Sequence, residues 1–347
     1  MRHNSTLLVL LALLVGCADP NPEPLDLKPL IAHAESTYSD TALTYLRAVF
    51  DTLETHHVYG ETYDWEELWL ATLEVSEGAT TTAQTHDAIR FAVADLNDPH
   101  AGFGIDPDSV SSVHADSSAA GGVVELLPMT SRMIAEEIAY VDVPRIGWPV
   151  GAIAHAYAQN LQDVIGRLSE QQPCGWIVDV RRNTGGNMWP MIAGAGPLLG
   201  EGEVGYFVDR YGDRLPWTYR DGTASVDTIS TRAGSEPVRI ANTPPVAVLT
   251  SSRTASAAEA LVVAFRGRPD TRAFGRPTAG AATSPEYFEF GGGAWLSLST
   301  HYFADRTGTV YRSAIEPDVY VEADMWDDHA AAESTAAGWL LETGPCR

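Results

Sequence analysis

Short, continuously apolar segments alternate with helical segments after about residue 133, and this alternation restricts the fold more than any other feature of the chain. Apolar strands are predicted at residues 138–143, 176–180 and 246–249. Helices are predicted after them at residues 152–168, about 188–199 and 257–265. Buried strands separated by helices are typical of a largely parallel sheet covered on both faces. The sequence therefore predicts an α/β fold, with ligands bound at the carboxyl ends of the strands.

Different patterns flank this alternation. Residues 27–103 place apolar side chains at helical spacing between acidic ones, which predicts an N-terminal helical region. Residues 104–132 are rich in Ser, Ala, Gly and Asp and are predicted to form a loop or flap. Residues 287–321 alternate apolar and polar side chains around glycine turns, which predicts antiparallel strands. We place the core at residues 133–325 and a C-terminal tail at residues 326–347.

The N-terminus has the features of an export signal. The apolar segment 7–15 follows Arg2 and is about half as long as a membrane-spanning helix. It ends in Leu-Val-Gly-Cys at residues 14–17, the pattern of a bacterial lipoprotein cleavage site, so residues 1–17 are predicted to be a lipoprotein signal with lipidated Cys17 as the first mature residue. The alternative is an ordinary signal peptide with a chance cysteine. Residues 18–26 are proline-rich and predict an extended tether.

An exported lipoprotein would be held in the bacterial cell envelope, in contact with the membrane through its lipid anchor only. Ala18, rather than Asp, follows Cys17 and favours the periplasmic face of the outer membrane. Cys174 and Cys346 could then form a disulfide in this oxidising space, and two free buried thiols are the alternative. Neither cysteine has the spacing of a metal ligand, so no metal site is predicted.

The charge balance excludes one class of partner. The chain has 22 Lys and Arg residues against 46 Asp and Glu residues, a formal net charge of −24. Nucleic-acid binding requires clustered cations, which this composition does not supply. We expect no nucleic-acid partner and no cofactor, and no feature of the sequence predicts an oligomeric state.

Ser256 admits two interpretations. It precedes a predicted helix as the first residue of Ser-Ala-Ala-Glu, so Ser256 and Glu259 can form a capping box. A serine between a strand and a helix can also project its hydroxyl into a cleft as a nucleophile. The Ala257 N–H would then point to a developing oxyanion, assisted by the positive end of the helix dipole.

A serine nucleophile needs a base. Lys28 is the only lysine and lies far from this region in sequence, so the base would be histidine, Asp or Glu. His100 follows Pro99, which breaks a helix and places the imidazole on a turn, although a surface histidine has the same pattern. His301 is a rival base. Gly185 and Gly186 are either turn glycines or an anion-binding nest that supplies a second oxyanion donor.

Together these segments resemble the S41 peptidase family, which includes the tail-specific or C-terminal processing proteases. The matching blocks occur in the family's order at residues 98–100, 176–186, 246–259 and 274–280, with Ile-Glu-Pro-Asp-Val at 315–319 closing the domain. The resemblance implies an S41-type core sheet of the ClpP/crotonase class with flanking helices. It also implies that Ser256 is the nucleophile and that Ala257 forms the oxyanion hole with Gly185 or Gly186.

The family has a lysine branch and a histidine branch. The stretch 275–282, where the first branch has its lysine, contains none here, and arginine does not release its proton at working pH. The resemblance therefore implies that His100 is the general base. Glu316 is the candidate for orienting the imidazole, with capping or ion pairing as its alternative role. Histidine-branch relatives often place a hydroxyl residue beside this histidine, whereas Pro99 and Ala101 stand there in this chain.

These features predict a lipid-anchored serine endopeptidase that acts on exported proteins or peptides. The interval between His100 and residue 138 is too short for the PDZ domain that many relatives carry. A non-catalytic lipoprotein that binds apolar ligands or peptides on the same fold is one alternative. An esterase that uses the same two residues is another.

Overall fold

The computed structural model describes residues 26–105, 127–147, 151–234, 236–240, 243–322, 329–343 and 346. The predicted signal, Cys17 and nearly all of the predicted tether lie outside the described residues. Most of the predicted flap also lies outside them.

The described elements alternate strands and helices after an all-helical beginning. The helices are α1 Lys28–Glu35, α2 Asp40–His56, α3 Trp65–Val75, α4 His86–Asp95, α5 Ala152–Ser169, α6 Met188–Leu199, α7 Ala257–Phe265 and α8 His329–Leu341. The strands are β1 Gly102–Ile105, β2 Ser131–Ile134, β3 Ile138–Asp142, β4 Gly175–Asp179, β5 Gly202–Val208, β6 Arg214–Arg220, β7 Thr223–Val226, β8 Ile229–Arg232, β9 Val246–Thr250, β10 Thr271–Gly275, β11 Thr283–Phe290, β12 Ala294–Asp305, β13 Val310–Tyr311 and β14 Val319–Tyr320.

The central sheet has the order β14-β10-β9-β4-β3-β2 and is parallel except for the β2–β3 pair. Both of its faces are covered, as the apolar strands predicted. On one face, Trp176 and Val178 of β4 pack in a core shared with α5, α6 and α7. On the other face, Ile177 packs against Leu340 of α8. This arrangement confirms the predicted α/β fold.

A second sheet is largely antiparallel and has the order β1-β12-β5-β6-β7-β8, with β11 and β13 also paired to β12. The long strand β12 lies at its centre. Leu296 and Leu298 of β12 are buried in one core with α2, α3 and α4. The predicted N-terminal helices are therefore present and pack on this second sheet, so the turn after α4 is held against β12.

Two segments differ from the sequence predictions. β1 continues through Ile105 into the predicted flap. The predicted C-terminal tail contains α8, which buries Ala332, Ala336 and Leu340 at helical spacing against the central sheet. A disulfide between Cys174 and Cys346 joins the end of this segment to the residue before β4.

Candidate active site

Ser256 and His100 meet where the two sheets adjoin. Ser256 follows the carboxyl end of β9 and is the N-cap of α7, while His100 lies in the turn between α4 and β1. Although the two residues are 156 positions apart in sequence, Nε2 of His100 lies 3.0 Å from Oγ of Ser256. This is hydrogen-bond distance, and it brings a candidate base to a candidate nucleophile.

The backbone at Ser256 has a conformation that residues other than glycine rarely adopt. Its φ is 54° and its ψ is −116°. Such strained residues cluster at functional sites and persist only where the surroundings hold them. Here Glu259 completes a capping box, and its Oε2 accepts the Ser256 N–H at 2.7 Å. The two interpretations of Ser256 thus coexist, because the cap fixes the backbone while the hydroxyl faces the imidazole.

Besides capping α7, Glu259 binds the segment 278–281. Its carboxylate is fully buried and also accepts hydrogen bonds from the Thr278 hydroxyl and from the N–H groups of Gly280 and Ala281. Burial raises the pKa of this carboxyl, and the hydrogen bonds from Thr278 and the backbone oppose that rise. Glu259 therefore joins the serine loop to the 278–281 segment.

We expect Glu259→Gln to lower the free energy of unfolding by about 2–4 kcal/mol, because an amide NH₂ would face two N–H or O–H donors in place of an acceptor oxygen. Urea unfolding of Glu259→Gln measures the change, with Glu74→Gln on the exposed face of α3 as the matched control. A loss no greater than that of the control would contradict this account of the carboxylate.

A chain of hydrogen bonds leads from the other nitrogen of His100 to a buried carboxylate. Nδ1 of His100 lies 2.9 Å from the hydroxyl of Thr283, the first residue of β11. The Thr283 hydroxyl lies 2.9 Å from that of Ser299 in β12. The Ser299 hydroxyl donates to Oδ1 of Asp98 at 2.7 Å. Asp98 also accepts the N–H groups of His100 and Ser299 at 3.0 and 2.9 Å.

Donor counting along this chain fixes the tautomer of His100. An ionised carboxylate only accepts hydrogen bonds, so the Ser299 proton is committed to Asp98. Ser299 must then accept from Thr283, and Thr283 must accept from His100. The imidazole therefore carries its proton on Nδ1, which leaves Nε2 as an acceptor for the Ser256 hydroxyl.

The charges of this network are set by burial and by its hydrogen bonds. Burial raises the pKa of Asp98, but the neighbouring His57 ring and the hydrogen bonds from His100 and Ser299 outweigh it and lower the pKa to about 2. Burial lowers the pKa of His100 below its ordinary value, and Asp98 opposes this. At neutral pH the site thus contains an anionic Asp98 and a neutral imidazole able to accept a proton.

The glycine turn after β4 packs directly against Ser256. A Cβ at Gly185 would lie 2.9 Å from Cβ of Ser256, and one at Gly186 would lie 1.5 Å from the Ile146 carbonyl oxygen. The Gly185 N–H is already donated to Oδ1 of Asn183 at 2.9 Å. Within the described ranges, no acceptor is found for the N–H groups of Gly186 and Ala257. These two N–H groups can serve an external oxygen.

Other predicted residues do not reach the imidazole. The structure places the hydroxyls of Thr283 and Ser299, and not the carboxylate of Glu316, at Nδ1 of His100. Glu316 is exposed, and its backbone carbonyl accepts from Arg266, so Glu316 does not orient the imidazole as predicted. His301 lies 3.6 Å from Glu286 and makes no contact with Ser256 among the described residues.

Sequence reasoning missed the groups that support His100. Thr283 and Ser299 lie 183 and 199 residues beyond His100 and carry no local motif. Asp98 belonged to the matching block 98–100, and its position two residues before His100 was the sequence signal that it could support the imidazole. Asn183 and Glu259 also stood in recognised blocks, but only the fold shows which N–H groups they bind.

The described part of the chain contains no group of three or more His, Cys, Asp or Glu residues arranged to hold a metal ion. No described helix is long and apolar enough to span a membrane.

Comparison with known proteins places this geometry in a family. The sequence model described as peptidase family S41 matches residues 137–321, slightly more than half of the chain. The chain belongs to peptidase family S41. Ser256 and the glycine turn lie inside the matched region, whereas Asp98 and His100 precede it.

Curated relatives match over part of their length. The chain is 29% identical over 167 residues to the nisin-resistance protein of Lactococcus lactis, covering 48% of this chain and 49% of that protein. It is 28% identical over 194 residues to a carboxyl-terminal-processing protease of Synechocystis, covering 54% of this chain and 41% of that protein. The matches thus span about half or less of these relatives.

Solved structures of similar fold match most of this S41 member. A lipoprotein from Streptococcus agalactiae has a TM-score of 0.64 and 23% identity, over 88% of this chain and 97% of that chain. The photosystem II D1 C-terminal processing protease has a TM-score of 0.56 and 16% identity, over 80% of this chain and 92% of that chain. At these identities the likeness establishes the shared fold.

Proposed function

We propose that this S41 member is a serine endopeptidase in which Ser256 is the nucleophile and His100 is the general base. The observation that carries the proposal is the 3.0 Å separation of Nε2 of His100 and Oγ of Ser256. A strained serine at a helix N-terminus, facing an imidazole whose tautomer is set, has the arrangement that acyl transfer needs. The family membership supports the same reaction class.

The reaction follows from the donor pattern. Nε2 of His100 takes the proton of Ser256 as Oγ attacks the scissile carbonyl carbon, forming a tetrahedral intermediate. The imidazolium then gives this proton to the leaving amine, which departs and leaves an acyl-serine. A water molecule, activated by His100, hydrolyses the ester. Asp98 stabilises the transient imidazolium through Ser299 and Thr283.

The oxyanion donors in this proposal are the N–H groups of Ala257 and Gly186. Ala257 is the first residue of α7, so its N–H has no acceptor within the helix and lies at the positive end of the helix dipole. Gly186 replaces Gly185 as the second donor, because the Gly185 N–H is bound to Asn183. Removal of one such donor typically lowers kcat by about 10²–10³-fold.

We further propose that the enzyme is exported, anchored by lipid at Cys17, and held at the periplasmic face of the outer membrane. The Cys174–Cys346 disulfide supports export, since disulfides persist in oxidising compartments. A solved neighbour of the same fold is itself described as a lipoprotein. The substrates proposed are peptides or exported proteins, which the names of the nisin-resistance and carboxyl-terminal-processing relatives support.

The alternatives are separable by chemistry. In a ligand-binding protein on the same fold, Ser256 would cap the helix and its hydroxyl would not react as a nucleophile. An esterase would use the same two residues, so matched peptide and ester substrates distinguish it from a peptidase.

A fluorophosphonate probe tests whether Ser256 is activated. We expect the probe to attach to Ser256, as located by mass spectrometry of the tryptic peptide, because Nε2 of His100 can take the hydroxyl proton. Labelling should fall as the pH is lowered through the pKa of His100, which lies below its ordinary value, since protonation removes the acceptor. An unlabelled Ser256 in folded protein at neutral pH would reject the proposal.

A further inference from the structure

A second imidazole lies behind the carboxylate of the site. His57 follows the last residue of α2, and its side chain is fully buried. Its Nε2 lies 3.4 Å from Oδ2 of Asp98, the side chain of which is also fully buried. Neither ring nitrogen of His57 has a hydrogen-bond partner that meets ordinary criteria among the described residues. A buried polar group of this kind calls for an explanation.

The backbone around His57 is tied to the same network. The Val58 N–H donates to the Ser299 carbonyl at 2.9 Å, and the Tyr302 hydroxyl donates to the Val58 carbonyl at 3.1 Å. The end of α2 is thus held on β12 beside the residue that donates to Asp98. His57 cannot move away from Asp98 without disturbing this attachment.

We propose that His57 is a positioning residue whose Nε2–H faces Asp98, keeps that carboxylate ionised, and so holds His100 in its Nδ1–H tautomer. The proposal rests on the proposed function for its effect on catalysis. The proton must be on Nε2, because an unprotonated ring nitrogen would turn its lone pair toward an anion.

The direction of every hydroxyl in the network depends on the charge of Asp98. If Asp98 were protonated, its O–H could donate to Ser299, and the Ser299 and Thr283 hydroxyls could then turn toward His100. Nδ1 would become an acceptor and the proton would move to Nε2. In that tautomer Nε2 can no longer accept the Ser256 proton.

Other titratable groups near the pair do not replace His57. Tyr59 and Tyr63 pack their rings 5.4 Å from the imidazole, and burial raises the pKa of both phenols, so they are neutral. Tyr302 of β12 is likewise neutral because burial raises its pKa. The further groups that face this region are His100 itself and two carboxyls, Asp95 of α4 and Glu259 of α7. Negative charge on either carboxyl disfavours an ionised Asp98. The Ser299 hydroxyl and the N–H groups of His100 and Ser299 favour the ionised form, and the His57 ring adds to them from the other side of the carboxylate.

Glutamine and asparagine at position 57 separate this role from simple packing. The amide nitrogen of Gln can occupy the position of Nε2, whereas that of Asn lies nearer the position of Nδ1. We therefore expect His57→Gln to retain the behaviour of the wild type. His57→Asn and His57→Leu should lower kcat/KM by about 10- to 100-fold, less than the roughly 10⁴-fold loss when an orienting aspartate is replaced outright.

Nitrogen-15 NMR of the histidine rings measures the tautomer of His100 without requiring turnover. We expect Nδ1–H in the wild type, in His57→Gln and in the control His155→Gln, whose ring contacts the backbone of Arg232 elsewhere in the fold. His57→Asn and His57→Leu should show Nε2–H, and the acid limb of their kcat/KM profile should move up by one pH unit or more. Thr283→Val breaks the chain directly and provides the reference for a lost tautomer.

The outcomes distinguish this inference from the function on which it rests. Equal behaviour of His57→Gln and His57→Asn in the NMR spectra would overturn it, whether or not His57→Leu folds. An unchanged Nδ1–H tautomer in folded His57→Leu would also overturn it. A wild type that shows the expected tautomers but labels no serine would instead reject the proposed peptidase.

Discussion

Ser256→Ala is expected to lower kcat/KM for a cleaved peptide by about 10⁶-fold, as loss of the nucleophile does in known serine proteases. The substitution removes the hydroxyl that Nε2 of His100 contacts, while Glu259 still accepts the backbone N–H of residue 256. The fold should therefore persist. The measurement is peptide turnover followed by mass spectrometry, together with the midpoint of thermal unfolding.

Ser334→Ala in α8 is the matched control, because its hydroxyl donates to the backbone of its own helix far from His100 in the fold. We expect this control to keep the turnover of the wild type. Undiminished cleavage by Ser256→Ala would exclude Ser256 as the nucleophile. A large loss of thermal stability would instead show that the capping role dominates.

His100→Ala is expected to cause a loss of similar size, about 10⁶-fold in kcat/KM, since a serine hydroxyl is a poor nucleophile without its base. Because Ser256 and His100 act as one unit, the double variant should be no slower than either single variant. The measurement is the same peptide assay on both single variants and the double variant.

His301→Ala is the control for this prediction, since His301 is the rival base named from the sequence and lies beside Glu286 in the structure. It should retain activity. A reversed result, with His301→Ala inactive and His100→Ala active, would transfer the role of base to His301. Additive losses in the double variant would show that Ser256 and His100 act independently.

The apolar pattern of the core was sufficient to predict the strands β3, β4 and β9 and the helices α5, α6 and α7. Helices α6 and α7 have the predicted bounds, because each begins directly after a turn and consists almost entirely of buried apolar residues. The strands β5 to β8 were not predicted. β5 pairs with β12, and β6, β7 and β8 follow it in the sheet and pack against α6, so their positions depend on distant parts of the chain. Helix α8 could have been found from Ala332, Ala336 and Leu340, which lie four residues apart.

Ser256 and His100, the two groups proposed to react, were predictable because each lies at a recognisable break between elements. Their support was not, because it depends on strand register. In the antiparallel pair of β11 and β12, Thr283 lies opposite Tyr302, and Ser299 precedes Tyr302 by three residues. This register brings the hydroxyls of Thr283 and Ser299 together beside His100. Glu316 was chosen because an acid is the usual partner of a catalytic histidine. In this fold the hydroxyls of Ser299 and Thr283 form the hydrogen-bond chain between the Asp98 carboxylate and the imidazole.

The position of Ser299 on the central strand of the second sheet also bears on how the enzyme is made. Ribosomes synthesise the serine and the histidine before the strand that sets the histidine's proton. A chain in which Ser299 does not yet lie beside Asp98 therefore lacks the hydrogen bonds that keep the proton of His100 on Nδ1. The position of the proton on His100 therefore depends on the last of the site residues to be synthesised, and not on the sequence beside the histidine.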